Sequence, residues 1–436
     1  MRILVTGANG FIGSHVAAVL ESAGHRVIRG VRGPKPPDRS DPHPETLACD
    51  FGHDTEVATW LGRLDGVDAV VNCVGILRAN RRGDFGRGDF DSIHRAAPVA
   101  LFDACAKAGV AKVVQVSVIG NADDSEFISS KHAADAHLAT LDVDWVVVRP
   151  SLVYSPAGSY GATSLIRALA ALPLFLPVAG RGDQELQPIA VEDLAEVIAA
   201  AVASKTIRRT IIEAVGPDKL TIEAFLKALR AWLGLGEAFV LHLPGWLVRL
   251  MVLAADMIAR GPLGTTMETM LARGNVGRQG AFETLAETSG VRPRSVREVL
   301  RRAPSHVQDR WHARLYFLRP ALRIALALIW IVSGLAGLLH PLDQSARLLT
   351  QTGIAGAATA PLVYGASGVN IVLGLAVLAQ FHTRISGWLM FLSVTGYTIF
   401  LGIWMPALWF DPFGALIKNI VLFPAILVMI ALEDQR

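Results

Sequence analysis

Met1-Arg2-Ile3-Leu4-Val5-Thr6-Gly7-Ala8-Asn9-Gly10-Phe11-Ile12-Gly13 opens the chain, and this stretch decides the fold. The apolar run before Gly7 predicts a buried strand over 2–6, and the residues beyond Gly10 predict a helix over about 12–23. A three-glycine turn alone says little. Between a strand and a helix each glycine acquires a task. Gly7 permits the tight turn, Gly10 lets backbone approach a pyrophosphate, and Gly13 lets the helix pack close to the strand. The unpaired N–H groups and the dipole at the helix start favour anions. Gly7, Asn9, Gly10, Phe11, Ile12 and Gly13 are therefore the expected phosphate-binding residues of a dinucleotide site. The alternative is a structural glycine turn without a ligand.

Further strands are predicted over 26–31, 69–73, 112–118 and 145–149, with helical patterns such as 97–108 between them. Alternating strands and helices point to an α/β doubly wound parallel sheet, with a small α/β region on its substrate side. Cofactor choice is read at the end of the second strand, where an acidic residue usually meets the ribose hydroxyls of NAD. Here the sequence is Val27-Ile28-Arg29-Gly30-Val31-Arg32-Gly33, without a carboxylate. Arg32, with Arg29 as a second candidate, suits a 2′-phosphate, so NADP(H) is expected over NAD(H). Solvation of both arginines at the surface is the alternative.

The chain has 436 residues and is 18% charged, below the roughly 25% of average proteins. The deficit is local. Residues 321–432 hold six charges, Arg323, Asp343, Arg347, Arg384, Asp411 and Lys418, while the remainder is ordinary. Four apolar stretches, 322–340, 362–380, 386–405 and 413–430, each match the roughly 30 Å hydrocarbon layer. They predict an all-α four-helix transmembrane bundle over 321–436, behind a nucleotide-binding domain over 1–305 and a basic, aromatic linker over 306–320. Arg310, Arg314 and Arg319 before the first stretch, Arg323 at its edge, and Arg384 between the second and third place both termini on the cytoplasmic side of the inner membrane. Lys418, about six residues inside the fourth stretch, either snorkels to the interface or faces the bundle interior. Asn370 and Tyr397 are candidates for the same interior.

This composition excludes a wholly soluble enzyme, a disordered chain and a disulfide-stapled secreted domain. Cys49, Cys73 and Cys105 form no metal or disulfide framework, and no metal is expected. A net charge of +3 gives no nucleic-acid signal, and no signal peptide is expected at the N-terminus.

Several stretches together resemble the short-chain dehydrogenase/reductase superfamily, whose cofactor domain is a Rossmann fold. They are the glycine turn, Asp50-Phe51, Asn72-Cys73-Val74-Gly75, Ser117, Lys131 and Arg149-Pro150-Ser151-Leu152-Val153-Tyr154. The resemblance implies that Asp50 and Phe51 meet the adenine, that Val74 and Gly75 line the phosphate path, and that Lys131 bonds the nicotinamide ribose. Pro150 would flank the nicotinamide. Gln187-Pro188-Ile189-Ala190-Val191-Glu192-Asp193-Leu194-Ala195 resembles the extended and atypical members. Gly274-Asn275-Val276 and Ser289-Gly290-Val291-Arg292-Pro293-Arg294-Ser295 are similar to the atypical branch that holds the NADPH-binding accessory subunit of respiratory complex I. The last 110 or so residues resemble the DoxX-like four-helix membrane proteins, chiefly at Asp411-Pro412-Phe413-Gly414 and Lys418-Asn419.

One departure bears on chemistry. The superfamily places Tyr four residues before the lysine, where a neighbouring cation lowers the phenol's pKa and makes it a proton donor. That position is Phe127. Ser117 and Lys131 remain as catalytic candidates, and Tyr154 or Tyr160 is a substitute donor if folded nearby. Sugar-nucleotide epimerisation relies on the same tyrosine. His94, His132 and His137 lack a metal-ligand spacing. Residues 78–87, with Arg81 and Arg82, read as a flexible loop over the cofactor cleft or simply a solvated loop. The apolar stretch 246–259, interrupted by Arg249 and Asp256, fits an amphipathic helix packed on the domain or lying on the membrane.

Two functions follow as expectations. One is a membrane-tethered, NADPH-using oxidoreductase or isomerase with a lipophilic or quinone-like substrate. The other is a non-catalytic NADPH-binding subunit that assembles with a membrane protein complex or senses redox state. The bilayer is a partner in both, and nucleic acid in neither.

Overall fold

The computed structural model describes residues 1–33, 45–77, 89–258, 265–350, 352–354, 356–412 and 414–433. The chain divides into two compact units, Met1–Ala313 and Arg314–Arg436.

The first unit is built on a seven-stranded sheet. Its strands are β1 (Arg2–Thr6), β2 (Arg26–Val31), β3 (Thr46–Ala48), β4 (Ala69–Asn72), β5 (Lys112–Val116), β6 (Asp144–Pro150) and a last strand, Thr210–Ala214. Across the sheet β1 lies between β2 and β4, with β3 at one edge and Thr210–Ala214 at the other, all parallel. Chain order therefore reverses between β1 and β4, where Thr6 registers with Asn72. The crevice at such a reversal is where doubly wound sheets bind ligands.

Alternation along the strands feeds two cores. Ile3 and Val5 face helix α1 (Phe11–Ser22) and helix Val191–Ala203, whereas Leu4 joins Trp60, Phe102 and Leu138 on the other face. On that second face lie α2 (Val57–Leu61), α3 (Ala97–Ala108) and α4 (Glu126–Thr140). The expected doubly wound sheet is present. The substrate-side region adds three two-stranded ribbons and a third core, in which Tyr154 and Phe225 pack against helix Val296–Arg302.

Helix Val307–Leu339, which runs from the end of the first unit into the second, and helices Gly356–Ala379 and Thr383–Trp404 of the second unit are long and apolar enough to cross a membrane. Two expectations need correction. The linker expected over 306–320 is helical from Val307 and continues through Pro320 into the first apolar stretch, because its Arg, Leu, Ala and Gln residues are good helix formers. The fourth stretch is helical only over Asn419–Ala431, 13 residues. Gly414 takes a left-handed φ of +66° and Gly414 N–H closes a turn on Asp411 O, so the apolar run begins as turns. Lys418 consequently stands at the helix start, exposed, rather than inside a span. Tyr397 is exposed; Thr398 takes the interior place and accepts a hydrogen bond from Asn419 at 2.9 Å. Asn370 is half-buried.

Small residues bring these helices together. A Cβ at Gly374 would lie 2.8 Å from Ala327 O, and one at Gly334 would lie 2.6 Å from Ser367 O. Such close approach is how helices associate where the hydrophobic effect is absent. Arg319 and Arg323 reach Glu433 at 3.4 and 3.7 Å. The middle of the first helix, at Arg319 and Arg323, therefore meets the end of the last helix.

Candidate functional site

The glycine turn follows directly from the end of β1. Gly7 has φ +72°, and Gly10 N–H closes the turn on Gly7 O at 2.8 Å. A Cβ at Gly13 would lie 2.2 Å from Gly7 O, so only glycine lets α1 come this near. No side chain caps α1 and no acidic residue stands in its first turn. Its N-terminus is thus open to an anion at the sheet's switch point. Beside it a buried ladder links the strand ends: Thr6 Oγ1 donates to Asn72 Oδ1 at 2.7 Å, and Asn72 Nδ2 donates to Gln115 Oε1 at 2.8 Å.

Lys131, on α4, reaches across these strand ends. Its Nζ donates to Val74 O at 3.1 Å and to Val116 O at 3.0 Å. A Cβ at Gly75 would meet that Nζ at 3.0 Å, so the absence of a side chain there lets the buried ammonium pack against the backbone beyond β4. Burial lowers the Lys131 pKa to about 8, with the Asp135 and Cys73 charges opposing. Cys73 is pushed up to about 12, chiefly by burial. It is a poor nucleophile.

Ser117, at the end of β5, donates its hydroxyl proton to Asp135 Oδ2 at 2.7 Å. Arg149, on β6, binds the same oxygen through Nη2 at 2.9 Å and Nε at 3.1 Å. With its one proton committed, Ser117 has only acceptor capacity left. Phe127 is buried among Phe90, whose ring centroid is 6.0 Å away, and His94, 5.4 Å away. His94 accepts from Ile76 N–H through Nε2 at 2.9 Å, which leaves the proton on Nδ1, facing Ser130 Oγ at 3.1 Å. Burial first, and the Lys131 charge second, hold its pKa well below the ordinary range. His94 is a neutral brace under Gly75 and Ile76, in a π-helical turn at Ser92–Ala96.

At the other end of the crevice, Arg32 is exposed beyond β2. Burial raises the Asp50 carboxyl, but the Gly52 N–H, the His53 ring and the Arg32 charge outweigh it and hold it below its ordinary value. Arg32 and Asp50 therefore share this end. Arg29 is pinned to Glu21, Nη2 to Oε2 at 2.9 Å and Nε to Oε1 at 3.1 Å. The Phe51 ring is buried edge-on against Trp60, centroids 5.4 Å apart, so the ring itself is not presented to the crevice. Pro150 is buried, and its carbonyl accepts Ile119 N–H at 3.3 Å.

Other candidates lie elsewhere. Tyr154 is buried against Phe225 in the substrate-side core, its pKa raised by burial, and Tyr160 is exposed. His132 binds Val118 O at 3.0 Å and His137 binds Asp103 at 2.7 Å, so the three histidines do not converge. Residues 78–87 lie outside the described residues. Asp193 and Arg294, from two stretches of the superfamily resemblance, form a pair at 2.6 Å that ties the last loops to helix Val191–Ala203.

A dinucleotide fits what is present. A Cβ at Gly13 would strike the backbone of Gly7, so glycine there lets the helix start close on the turn, where it offers unpaired donors, and Lys131 retains one ammonium hydrogen beyond its two carbonyl bonds. Sequence reasoning missed Asp135 and gave no role to Arg149, which it quoted only within the resemblance. The only signal was Asp135 one helical turn after Lys131, on the same face.

Residues 3–212 match the NAD dependent epimerase/dehydratase family, and residues 327–427 match the DoxX-like family. The chain is 30% identical over 246 residues to an epimerase family protein of Mycobacterium bovis, across 52% of this chain and 77% of that one. It is 28% identical over 204 residues to a ceramide reductase of Caulobacter vibrioides, across 45% of this chain and 60% of that one. Among solved structures it is similar to the UDP-glucose 4-epimerase of Thermus thermophilus in complex with NAD, with TM-score 0.51 and 20% identity over 72% of this chain and 99% of that chain. Pal from Bacillus thuringiensis gives TM-score 0.53 and 19% identity over 70% of this chain and 98% of that one. These likenesses establish the fold.

Proposed function

We propose that this chain, which belongs to the NAD dependent epimerase/dehydratase family and carries a DoxX-like domain behind it, is a membrane-tethered oxidoreductase or isomerase acting on a lipophilic or quinone-like substrate. The carrying observation is the open helix start beside Lys131, on a chain that continues into helices apolar enough to cross a membrane. The similarity to a protein named ceramide reductase supports a lipid substrate. Both termini are read as cytoplasmic, and a C-terminal tag accessible only from the opposite side would reverse that topology.

Gly7, Asn9, Gly10, Phe11, Ile12 and Gly13 would hold the cofactor's phosphates and Arg32 its 2′-phosphate, Val74 and Gly75 would line the phosphate path, and Pro150 would flank the nicotinamide. Bound there, reduced NADP supplies a hydride. The chain's own residues must then manage the proton. Phe127 has none to give, and Ser117's is committed to Asp135. Lys131 has one ammonium hydrogen free and a pKa near 8, so it delivers the proton to the oxygen of the carbonyl that accepts the hydride. It recovers that proton from solvent, and the balance closes on an alcohol.

A second reading is favoured by Phe127 itself: the cofactor is held without turnover, in a structural or sensing role within a membrane assembly. One experiment separates them. The full chain in detergent is titrated with NADPH by fluorescence, then NADPH oxidation is followed with short-chain quinones and lipophilic carbonyls. Turnover on either class supports the enzyme. Tight binding without turnover on any acceptor favours the second reading, and no binding at millimolar NADPH overturns both.

A further inference from the structure

We propose that the outer face of helix Gly245–Ile258 lies in the surface of the bilayer and docks the nucleotide-binding unit there. Trp246, Leu250 and Leu253, at i, i+4 and i+7, form one stripe, and they are 70%, 57% and 49% exposed. Of the residues off that stripe, Val252 is buried and Met251 is 46% exposed. A helix of a soluble domain turns its apolar stripe to the core; this one turns it outward. Sequence left two placements open, packed on the domain or lying on the membrane, and the buried Val252 shows that one side of the helix does pack on the domain. Single exposed apolar residues are ordinary, but an aligned stripe that includes a tryptophan marks an interaction surface. The strand that leads into the helix, Phe239–Leu243, adds an exposed Phe239 in register with Phe175.

Three observations favour a lipid surface as the occupant. The first is reach. The unit ends at Ala313 and the first apolar stretch begins at 322, so eight residues, 314–321, separate the two. In helical form these cover about 12 Å, and a tether this short keeps the bilayer at high effective concentration. The second is chemistry. Arg249 flanks the stripe on the helix surface and is exposed, and tryptophan, leucine and a flanking arginine suit the headgroup layer. The third is placement. Helix Thr265–Arg273, which packs against Gly245–Ile258, carries Met270 onto the Phe90–Phe127 cluster and Arg273 to Asp124 at 3.1 Å and Ile119 O at 3.3 Å. The docked face is thus one helix away from Phe127, and a lipophilic substrate would arrive at the site from the acyl side. This inference does not depend on turnover, since its readout is depth.

The test uses the full chain in vesicles of equal parts phosphatidylcholine and phosphatidylglycerol. Trp246→Cys, Leu250→Cys and Leu253→Cys each carry a nitroxide, with Ile211→Cys, an exposed position on the last sheet strand, as the aqueous reference. Cys49 and Cys105 are buried, and the wild-type chain taken through the same labelling gives the blank. Relaxation by oxygen several-fold stronger than by a soluble nickel chelate at 250 and 253, and the reverse at 211, is the expected result. Nickel access at the helix equal to that at 211 would place it in water and overturn the proposal. Shielding from both agents would also overturn it, by showing a protein cover such as a second copy of the chain. If Trp246→Cys fails to fold, the two leucine positions carry the test alone.

Discussion

Lys131 gives one ammonium hydrogen to the carbonyl oxygen of Val74, 3.1 Å away, and so joins α4 to the end of β4. A second hydrogen goes to Val116 O, which leaves one for a ligand. Burial brings its pKa down to about 8. Were Lys131 the proton donor, NADPH oxidation would fall as pH rises through about 8, and Lys131→Arg would carry that limb out of range while Lys131→Met abolished turnover. A flat profile between neutral pH and 10 would remove Lys131 from this role. Stability moves the other way. The folded pKa lies below the unfolded value, so the cost of the buried charge is fully present below about 8 and is relieved as pH rises toward 10.5. Lys131→Met should lose that rise in a melting-temperature series.

Gly13 is the position at which α1 meets β1's turn most tightly. An added Cβ would stand 2.2 Å from Gly7 O and 2.8 Å from Gly7 C, both backbone atoms that cannot rotate away. Gly13→Ala should therefore displace the helix, cost about 1–3 kcal/mol of stability, and weaken NADPH binding at least tenfold. Gly62→Ala is the control, because its Cβ meets nothing within 4 Å and its φ is −68°. It should leave binding unchanged and stability unchanged or slightly raised. Thermal unfolding and fluorescence titration read both variants.

Asp135 and Arg149 make a buried ion pair whose members come from α4 and β6. Removing one partner strands the other. Asp135→Leu should cost about 3 kcal/mol, the low end for such pairs because the Arg149 side chain keeps 15% exposure. The double variant Asp135→Leu/Arg149→Leu should recover part of that loss. If the double variant were as unstable as the sum of the singles, the two side chains would not be energetically coupled.

What sequence made legible was local. The turn over Gly7–Gly13 and the apolar runs of β1, β4 and β5 follow from neighbours in the chain, and hydropathy alone located the long helices of the second unit. Composition misjudged the fourth stretch because it does not register the left-handed turn at Gly414. It broke the first long helix into linker and span because it weighed charge, not helix propensity, over 306–320. The site was half visible. Ser117 and Lys131 came through resemblance, but Asp135 meets Arg149 only once β6 packs beside α4. His94 reaches Ile76 from a π-helical turn. Those are tertiary facts. The 246–259 stretch allowed two placements, since periodicity shows that a stripe exists and not what covers it.

Arg32 and Arg29 read alike in the sequence, yet the structure separates them. Glu21 grips both Nε and Nη2 of Arg29, whereas Arg32 stands exposed near Asp50. If the site prefers NADPH, the preference should reside in Arg32. Charge-assisted hydrogen bonds contribute about 1.5–3 kcal/mol, so Arg32→Ala should weaken NADPH roughly tenfold to a hundredfold and NADH little. Arg29→Ala should lower the melting temperature by breaking the tie between β2 and α1 while leaving the ratio of the two affinities unchanged. Equal losses for both nucleotides in Arg32→Ala would show that this arginine reads no phosphate. A ratio that moves with Arg29 instead would mean that Glu21 releases it when the nucleotide binds.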